Sequence, residues 1–265
     1  MKKIFHKILN RFNYILIRKN EFALLVDKNN FILKNNNDYL LFILKNLKVN
    51  LDLIAFCIHK SQSQIRQDIF VLAKLNFKKN GFFVEFGATN GVNLSNTYLL
   101  EKHFDWKGIL AEPAKIWHTD LKTNRNCNIE TKCVWPKSAD FLQFNEVKSP
   151  ELSTIVNFNK TDNHSKEREQ GIVYDVESIS LNDLLSKYNA PSIIDYLSID
   201  TEGSELSILA STNFSKYIFK IITCEHNFTE NREKIYDLLT KNGYKRIFEE
   251  YSQFDDWYIH SESFK

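Results

Sequence analysis

Acidic side chains stand at or near the ends of four segments that are predicted to be buried strands. Glu85 lies in "GFFVEFG", Glu112 in "ILAEP", Asp200 in "YLSID" and Glu225 in "ITCEHN". Carboxylates bind hydroxyl groups and cations, and a carboxylate with a suitable pKa accepts a proton during a reaction. Because ligands of open parallel sheets bind beyond the carboxyl ends of the strands, we expect these four acids to surround one ligand site.

A glycine turn follows the first of these strands. The segment "FGATNG" contains Gly87 and Gly91, two of only seven glycines in the chain. Glycines let the backbone turn tightly and approach a ligand. The pattern differs from the GxGxxG of dinucleotide sites, Glu85 precedes it, and Glu112 follows where a carboxylate suits the two hydroxyls of a ribose. S-adenosylmethionine has no pyrophosphate and carries an ammonium and a sulfonium, so the pattern favours this methyl donor over NAD.

The ends of two later strands predict the reacting centre. Neighbouring parallel strands would bring Asp200, Glu225, His226 and Asn227 to one edge of the sheet. Methyl transfer to a hydroxyl requires removal of a proton, and an imidazole titrates near neutral pH, which makes His226 the first candidate for general base. The alternative is a divalent cation, Mg²⁺ or Mn²⁺, held by oxygen ligands of Asp200, Glu225 and Asn227. The sequence leaves both mechanisms open.

Polar residues on two flanking segments are weaker candidates. Gln67 and Asp68, in "RQDIF", are candidates for closing the donor pocket, with a solvated helix face as the alternative. Ser95, Asn96 and Thr97 begin the segment after the glycine turn, where they would either cap a helix or contact the donor.

The positions of the predicted elements define the fold class. From about residue 60 the chain alternates between apolar strand patterns and segments with helical spacing, which predicts an α/β fold with a mostly parallel sheet and helices on both faces. "SLNDLLSKY" is predicted to begin a helix capped by Ser180, and "TENREKIYDLLTKNGY" is predicted to be a helix capped by Thr229. "NIETKCVW" is predicted to be one strand, followed by an irregular middle region.

Composition excludes several classes of protein. The formal net charge is +2 in 265 residues, so no overall field favours a nucleic-acid partner. The four cysteines form no CxxC pair, which argues against a zinc or dense disulfide framework. Residues 1–60 are predicted to be a helical extension and residues 61–265 the main domain. The first twenty residues have the basic start of a signal peptide, but charges interrupt the apolar run and no small-residue cleavage site follows, which predicts a cytoplasmic protein. Their basic amphipathic pattern predicts an extension that packs on a protein surface or lies at the inner face of the membrane.

Several of these segments together resemble the FkbM family of S-adenosylmethionine-dependent methyltransferases. The resemblance covers about residues 60–260 and is most specific in "DTEGSE" and "EHN", with "GFFVEFGATNGVNLSNTYLLEK" and "WKGILAEP" in support. It implies a class I methyltransferase (Rossmann-like) fold, S-adenosylmethionine as donor, and O-methylation of a sugar, glycan precursor or related small metabolite. It places the family's glycine-rich motif on Glu85, Gly87 and Gly91, its ribose-binding acid on Glu112, and its post-strand acidic motif on Asp200, Glu202 and Gly203.

The residues and the resemblance together give one set of site predictions. We expect Asp200, Glu225 and His226 to be catalytic and Glu202 and Asn227 to contact the acceptor. Two alternatives to a methyltransferase are an NAD-dependent sugar-modifying enzyme and a non-catalytic binding module at a membrane. The candidate donor-binding residues are Glu85, Gly87, Ala88, Asn90, Gly91, Asn96, Glu112, Pro113 and Asp200.

Overall fold

The computed structural model describes residues 51–264, which form helices and strands in alternation. The α-helices are α1 (Leu51–Lys60), α2 (Gln67–Lys74), α3 (Tyr98–Phe104), α4 (His118–Asn124), α5 (Leu181–Lys187), α6 (Glu205–Ala210) and α7 (Asn231–Lys241). The strands are β1 (Phe82–Phe86), β2 (Lys107–Ala111), β3 (Asn128–Glu130), β4 (Cys133–Val134), β5 (Phe141–Glu146), β6 (Thr154–Ile155), β7 (Ile172–Ile179), β8 (Ile193–Ile199), β9 (Ile218–Glu225), β10 (Tyr244–Ile247) and β11 (Asp255–His260). Short 3₁₀ helices cover Lys115–Trp117, Pro150–Leu152, Val156–Phe158 and Ser261–Phe264.

Seven of the strands form one sheet in the order β10-β11-β9-β8-β1-β2-β3. The pairings from β3 through β9 are parallel, and only β11 runs antiparallel to its neighbours on both sides. The predicted mostly parallel α/β sheet is therefore confirmed. Because successive parallel strands share a direction, the residues after β1, β2, β8 and β9 all lie at the same edge of the sheet.

Helices cover both faces of this sheet. On one face Leu184 of α5, Ile208 of α6 and Leu239 of α7 belong to a single buried cluster with the apolar strand residues. On the other face Phe70 of α2 stacks on Trp257 of β11, with ring centroids 4.6 Å apart. Burial of such side chains is the main stabilising contribution to a fold of this kind, at about 1.5–3 kcal/mol for each fully buried large apolar group. The sheet edge that carries the acids is thus held by a rigid core.

The middle region, predicted to be irregular, contains a second sheet of four strands in the order β4-β7-β5-β6. The stretch "NIETKCVW", predicted to be one strand, is instead divided between the two sheets: β3 pairs with β2, and β4 pairs with β7. Phe144, Ile155 and Val176 form a small core under the second sheet. This sheet packs near the carboxyl edge of the first one and so bounds the ligand site.

Of the two helix caps predicted from the sequence, one is confirmed and one is wrong. At α5 the Ser180 side chain accepts a hydrogen bond from the Asp183 amide at 3.1 Å, so the predicted cap is confirmed. At α7 the N-cap residue is Glu230, and the Thr229 hydroxyl donates to the His226 carbonyl at 2.9 Å instead of capping the helix. The predicted Thr229 cap is therefore wrong, because the chain makes a tight turn between β9 and α7 that uses this hydroxyl.

The basic amphipathic segment predicted for the first twenty residues lies outside the described residues, and its membrane contact stays a prediction. Helix α1, which the sequence placed in the extension, belongs to the same compact unit as the sheets. Among residues 51–264 no helix has the length and apolar character needed to cross a membrane.

Candidate functional site

A cavity of about 320 Å³ opens at the carboxyl edge of the large sheet. Its floor comes from the residues at the ends of β1, β2, β8 and β9, and its outer wall comes from the chain between β5 and β7. Of the residues predicted to bind the donor or the acceptor, those that line the cavity are Glu85, Gly87, Asn96, Glu112, Pro113, Asp200, Glu202, Glu225 and Asn227.

The glycine turn is built around one close backbone contact. Gly87 has φ of +72°, and a Cβ atom at this position would lie 2.1 Å from the Asp200 carbonyl oxygen. Only glycine fits, because a side chain would be strained by the backbone angle and would overlap the neighbouring strand end. The turn therefore brings the backbone after β1 against the backbone after β8.

The second half of the turn is held from behind by a buried arginine. The Arg125 guanidinium donates to the Gly91 carbonyl at 3.0 Å and to the Ser95 hydroxyl at 3.1 Å, and it also donates to Thr97 and Glu101. The predicted donor-binding residues Ala88, Asn90 and Gly91 do not line the cavity. They shape the turn: for example, the Asn90 side chain accepts from the Val92 and Asn93 amides.

Glu85 lines the cavity and is also hydrogen-bonded inside the protein. Its carboxylate accepts from the Asn96 amide at 2.6 Å and the Ser95 hydroxyl at 3.0 Å, and from the Thr97 hydroxyl. Burial raises the pKa of Glu85, and nearby Arg125 opposes that rise. Glu85 therefore fixes the start of α3 and the turn, and because it also lines the cavity its role in receiving the donor's positive group stays a prediction.

Glu112 presents its carboxylate at the cavity wall after β2. Each oxygen accepts one backbone hydrogen bond, from the Thr89 amide and from the Ala114 amide, both at 2.8 Å. Burial raises its pKa to about 7. A carboxylate oxygen has more than one lone pair, so each oxygen retains acceptor capacity toward a ligand.

Asp200 and Glu225 face each other at the centre of the cavity floor. Ile199 pairs with Cys224 in the sheet, so the residues that follow them, Asp200 and Glu225, lie side by side. Their carboxyl oxygens lie within 4.8 Å of each other, so ionisation of one group disfavours ionisation of the other. Burial and the mutual repulsion of the acids raise the pKa of Glu225 well above its usual range, while the pKa of Asp200 is raised to about 7 by burial. The pair therefore retains a proton at neutral pH.

Glu202 is held by a residue that the sequence did not indicate. Arg168, whose side chain is fully buried, donates to Glu202 Oε2 at 2.7 Å and to both oxygens of Asp162 at 2.9 Å. It also donates to the Leu152 carbonyl at 2.8 Å. Arg168 thereby ties the outer wall of the cavity to the loop after β8. The same wall contributes the imidazole of His164, which the sequence likewise did not indicate.

His226, predicted to be the general base, does not line this cavity. Its Nδ1 accepts from the Phe228 amide at 3.0 Å, and its Nε2 lies 3.8 Å from Asp256 Oδ1. Burial lowers the pKa of His226. The chain turns immediately after Glu225, so His226 lines an adjoining cavity and not the one that holds Asp200. The role of His226 as general base stays a prediction.

A buried polar network lies beneath the cavity. Asn96 donates to Ser198 at 3.0 Å, and Gln67 donates to Asp255 at 2.8 Å. Gln67 and Asp68 do not line the cavity; Asp68 is buried and accepts from Ser61 at 2.8 Å. The expectation that these two residues close the donor pocket therefore fails, because both point into the packing of α2 against the sheet.

Three carboxyl groups are close enough to share one cation. Asp200, Glu202 and Glu225 each offer an oxygen, and these oxygens all lie within 4.8 Å of one another. Glu202 thus takes the place of Asn227 in the predicted metal-ligand set, while Asn227 donates to Glu202 at 3.4 Å.

Similar solved structures include methyltransferase FkbM from Methylobacillus flagellatus KT, at 13% identity over 97% of this chain and 70% of that chain with a TM-score of 0.45. Precorrin-6y C5,15-methyltransferase from Geobacter metallireducens GS-15 is similar at 10% identity over 72% of this chain and 85% of that chain, with a TM-score of 0.40. A fibrillarin/Nop5p complex is similar at 12% identity over 71% and 79% of the two chains, with a TM-score of 0.35. No curated protein sequence matches the chain.

Residues 85–247 match the Methyltransferase FkbM domain, a stretch that is more than half of the chain and contains the glycine turn and all the acids of the cavity. The expected class I methyltransferase fold is confirmed by this match and by the sheet. The activity of the family is methyl transfer, which implies S-adenosylmethionine as the donor and argues against the NAD-dependent alternative. The chain belongs to the FkbM methyltransferase family.

Proposed function

We propose that this methyltransferase transfers the methyl group of S-adenosylmethionine to a hydroxyl oxygen of a sugar, a glycan precursor or a related small metabolite. The observation that supports a hydroxyl acceptor is the carboxyl pair of Asp200 and Glu225 on the cavity floor. An alcohol is a poor nucleophile until its proton is removed, and a carboxylate with a pKa of about 7 is well matched to that task at neutral pH.

The cavity residues fit the donor. Its volume of about 320 Å³ lies within the range of small-molecule sites. Glu112 retains an acceptor lone pair on each oxygen for the two hydroxyls of a ribose. Gly87 keeps the backbone free of a side chain where the turn meets the strand end of Asp200. Asn96 adds an amide at the same wall.

The protein's part in the reaction is to place the acceptor hydroxyl and to take its proton. When bound, S-adenosylmethionine supplies an electrophilic methyl group, whose C–S bond breaks as the C–O bond to the acceptor forms. Ionised Asp200 accepts the hydroxyl proton, and Glu225, still protonated, donates its hydrogen bond to Asp200 and fixes its orientation. Positioning of this kind contributes about 7–11 kcal/mol in well-oriented systems.

The same arrangement favours a mechanism without a metal ion over the divalent-cation alternative. Glu202 is already paired with Arg168 at 2.7 Å. A cation at Asp200, Glu202 and Glu225 would have to compete with the buried guanidinium for Glu202. We therefore propose that activity does not depend on Mg²⁺ or Mn²⁺.

The test uses the full-length protein with methyl-labelled donor and an extracted fraction of glycans and sugars. We expect label in products that survive mild alkali and that mass spectrometry identifies as methoxy sugars, because methyl ethers resist alkali and methyl esters do not. Treatment with EDTA should leave the rate unchanged. Label found only in alkali-labile or nitrogen-bound methyl groups would contradict a hydroxyl acceptor, and loss of activity with EDTA that Mg²⁺ restores would contradict the metal-free mechanism.

A further inference from the structure

A second cavity, of about 400 Å³, adjoins the first on the side of α7. It is bounded by residues 225–231, by the loop around Gly203 and by Asp162 of the outer wall. Glu225 and Asn227 line both cavities and are the residues that the two have in common. Under the proposed function the donor occupies the first cavity. The second cavity meets the first one at Glu225, which is one member of the carboxyl pair.

The walls of the second cavity are mainly acidic. Asp162, Glu205, Glu225 and Glu230 line it together with the imidazole of His226, and the described lining contains no Lys or Arg. Both oxygens of Asp162 already accept from Arg168, which leaves the other three acids for a ligand. Carboxylates accept hydrogen bonds from hydroxyl and ammonium groups and repel phosphate and carboxylate groups. This chemistry suits a neutral or amino-substituted polyhydroxylated ligand.

One aromatic ring is held at the rim of this cavity. Phe228 is 67% exposed, and its amide is fixed by the hydrogen bond to His226 Nδ1 at 3.0 Å. Its ring meets the His226 imidazole edge-on, with centroids 5.2 Å apart, and does not fold into the core. Both Asn227 and Phe228 have left-handed backbone angles, φ of 44° and 56°, which cost free energy in non-glycine residues. The conformation thus keeps an apolar ring face exposed beside a polar cavity.

We propose, on the basis of the proposed function, that this second cavity binds the acceptor as a neutral or amino-substituted sugar ring. One face of the sugar lies on the Phe228 ring, whose negative π-face attracts the polarised C–H groups of a sugar. The hydroxyls donate to the carboxyl groups of the wall, and the reacting hydroxyl reaches past Glu225 and Asn227, where the cavities meet, toward Asp200 in the first cavity. His226 then serves as a positioning residue for the Phe228 loop.

The test measures binding of three methyl glycosides that differ in one substituent: methyl glucoside, its 2-amino analogue and its uronic acid analogue. Saturation-transfer NMR is recorded with full-length protein and saturating S-adenosylhomocysteine. We expect signals for the neutral and amino sugars and none for the uronic acid. Phe228→Ala should weaken sugar binding by about three- to tenfold, as expected for loss of an aromatic contact. Phe141→Ala removes another exposed phenylalanine, 73% exposed on the second sheet, and should leave sugar binding unchanged.

Equal binding of the uronic acid, absence of binding by all three sugars, or unchanged binding in Phe228→Ala would overturn this inference. Calorimetric titration of the same proteins with S-adenosylhomocysteine separates the two proposals. Intact donor-product binding with failed sugar binding contradicts only the acceptor site. Failure of the wild-type protein to bind S-adenosylhomocysteine contradicts the proposed function itself.

Discussion

The backbone of Gly87 packs directly against the carbonyl of Asp200, so closely that a Cβ on residue 87 would lie 2.1 Å from that oxygen. This contact joins the turn that shapes the donor cavity to the residue that we propose as the proton acceptor. Under the proposed function we therefore expect donor binding and proton transfer to be coupled through this backbone contact.

Gly87→Ala should abolish this coupling. The change introduces both a strained backbone angle and an overlap with Asp200, so we expect loss of measurable S-adenosylhomocysteine binding and a decrease of about 3 kcal/mol or more in the free energy of unfolding. Gly243→Ala is the matched control, because Gly243 has φ of +87° but an added Cβ would meet only His260 Nε2 at 3.4 Å. Urea denaturation and calorimetric titration of both variants separate the overlap with Asp200 from the strain of the backbone angle. Equal losses of stability and of S-adenosylhomocysteine binding in the two variants would argue against a special contact at Gly87.

Replacement of Asp200 should remove the proton acceptor. We expect Asp200→Asn to lower kcat by about 10²- to 10⁴-fold. In the wild-type protein kcat/KM should rise with pH and level off above about 7, because Asp200 must be ionised and its pKa is about 7. His226→Asn retains an acceptor for the Phe228 amide and should leave the pH profile in place. A profile lost in His226→Asn but kept in Asp200→Asn would restore His226 as the base.

Removal of the buried arginine should loosen the outer wall of the cavity. Arg168→Met leaves Glu202 and Asp162 without their partner, and breaking a buried ion pair costs about 3–5 kcal/mol. We expect a comparable fall in the free energy of unfolding and new protease cleavage between residues 150 and 171. Lys187→Met breaks the half-exposed pair with Glu130 and should cost about 1 kcal/mol or less. Similar losses in the two variants would show that Arg168 has no special role in tying down this wall.

The buried acids should make the protein less stable as the pH rises. In the unfolded chain Asp and Glu lose their protons near pH 4, whereas burial raises the pKa of Asp200 and Glu112 to about 7 and that of Asp255 to about 8. The folded state therefore binds more protons, and the free energy of unfolding should fall between about pH 4 and pH 8. Urea denaturation at pH 5 and pH 8 measures this slope.

Two variants test the origin of that slope. Asp255→Asn should reduce it, because one of the contributing protons is removed. Asp195→Asn should not change the slope. Burial alone would raise the pKa of Asp195, but hydrogen bonds from Lys220 and Lys78 outweigh burial and lower this pKa. Asp195 therefore titrates below the tested pH range. A slope that is unaffected by Asp255→Asn would contradict the assignment.

The sequence was informative where function depends on local pattern and sheet register. Acids at strand ends, such as Glu112, Asp200 and Glu225, could be located because parallel strands place their carboxyl ends at one edge. The glycine turn was visible from Gly87, which marks a close backbone approach.

The missed features depend on contacts between residues far apart in the chain. Arg125 and Arg168 reach Gly91 and Glu202 from other segments, and no local pattern marks a buried guanidinium. The direction of His226 depends on the turn after β9, where two non-glycine residues adopt left-handed angles. The second sheet was overlooked because two of its strands, β4 and β6, have only two residues each and carry too little alternation to be recognised.

Calorimetric titration of the full-length protein with S-adenosylhomocysteine, compared with Glu112→Gln, tests the central claim most directly. We expect one molecule to bind per chain and the affinity to fall about 10- to 100-fold in the variant, because loss of a hydrogen bond to a charged group costs about 1.5–3 kcal/mol. Glu146→Gln, which alters a carboxylate of the second sheet outside the cavity lining, should bind like the wild type. Absence of binding in the wild-type protein, or equal affinity in Glu112→Gln, would contradict the claim that this cavity holds the methyl donor.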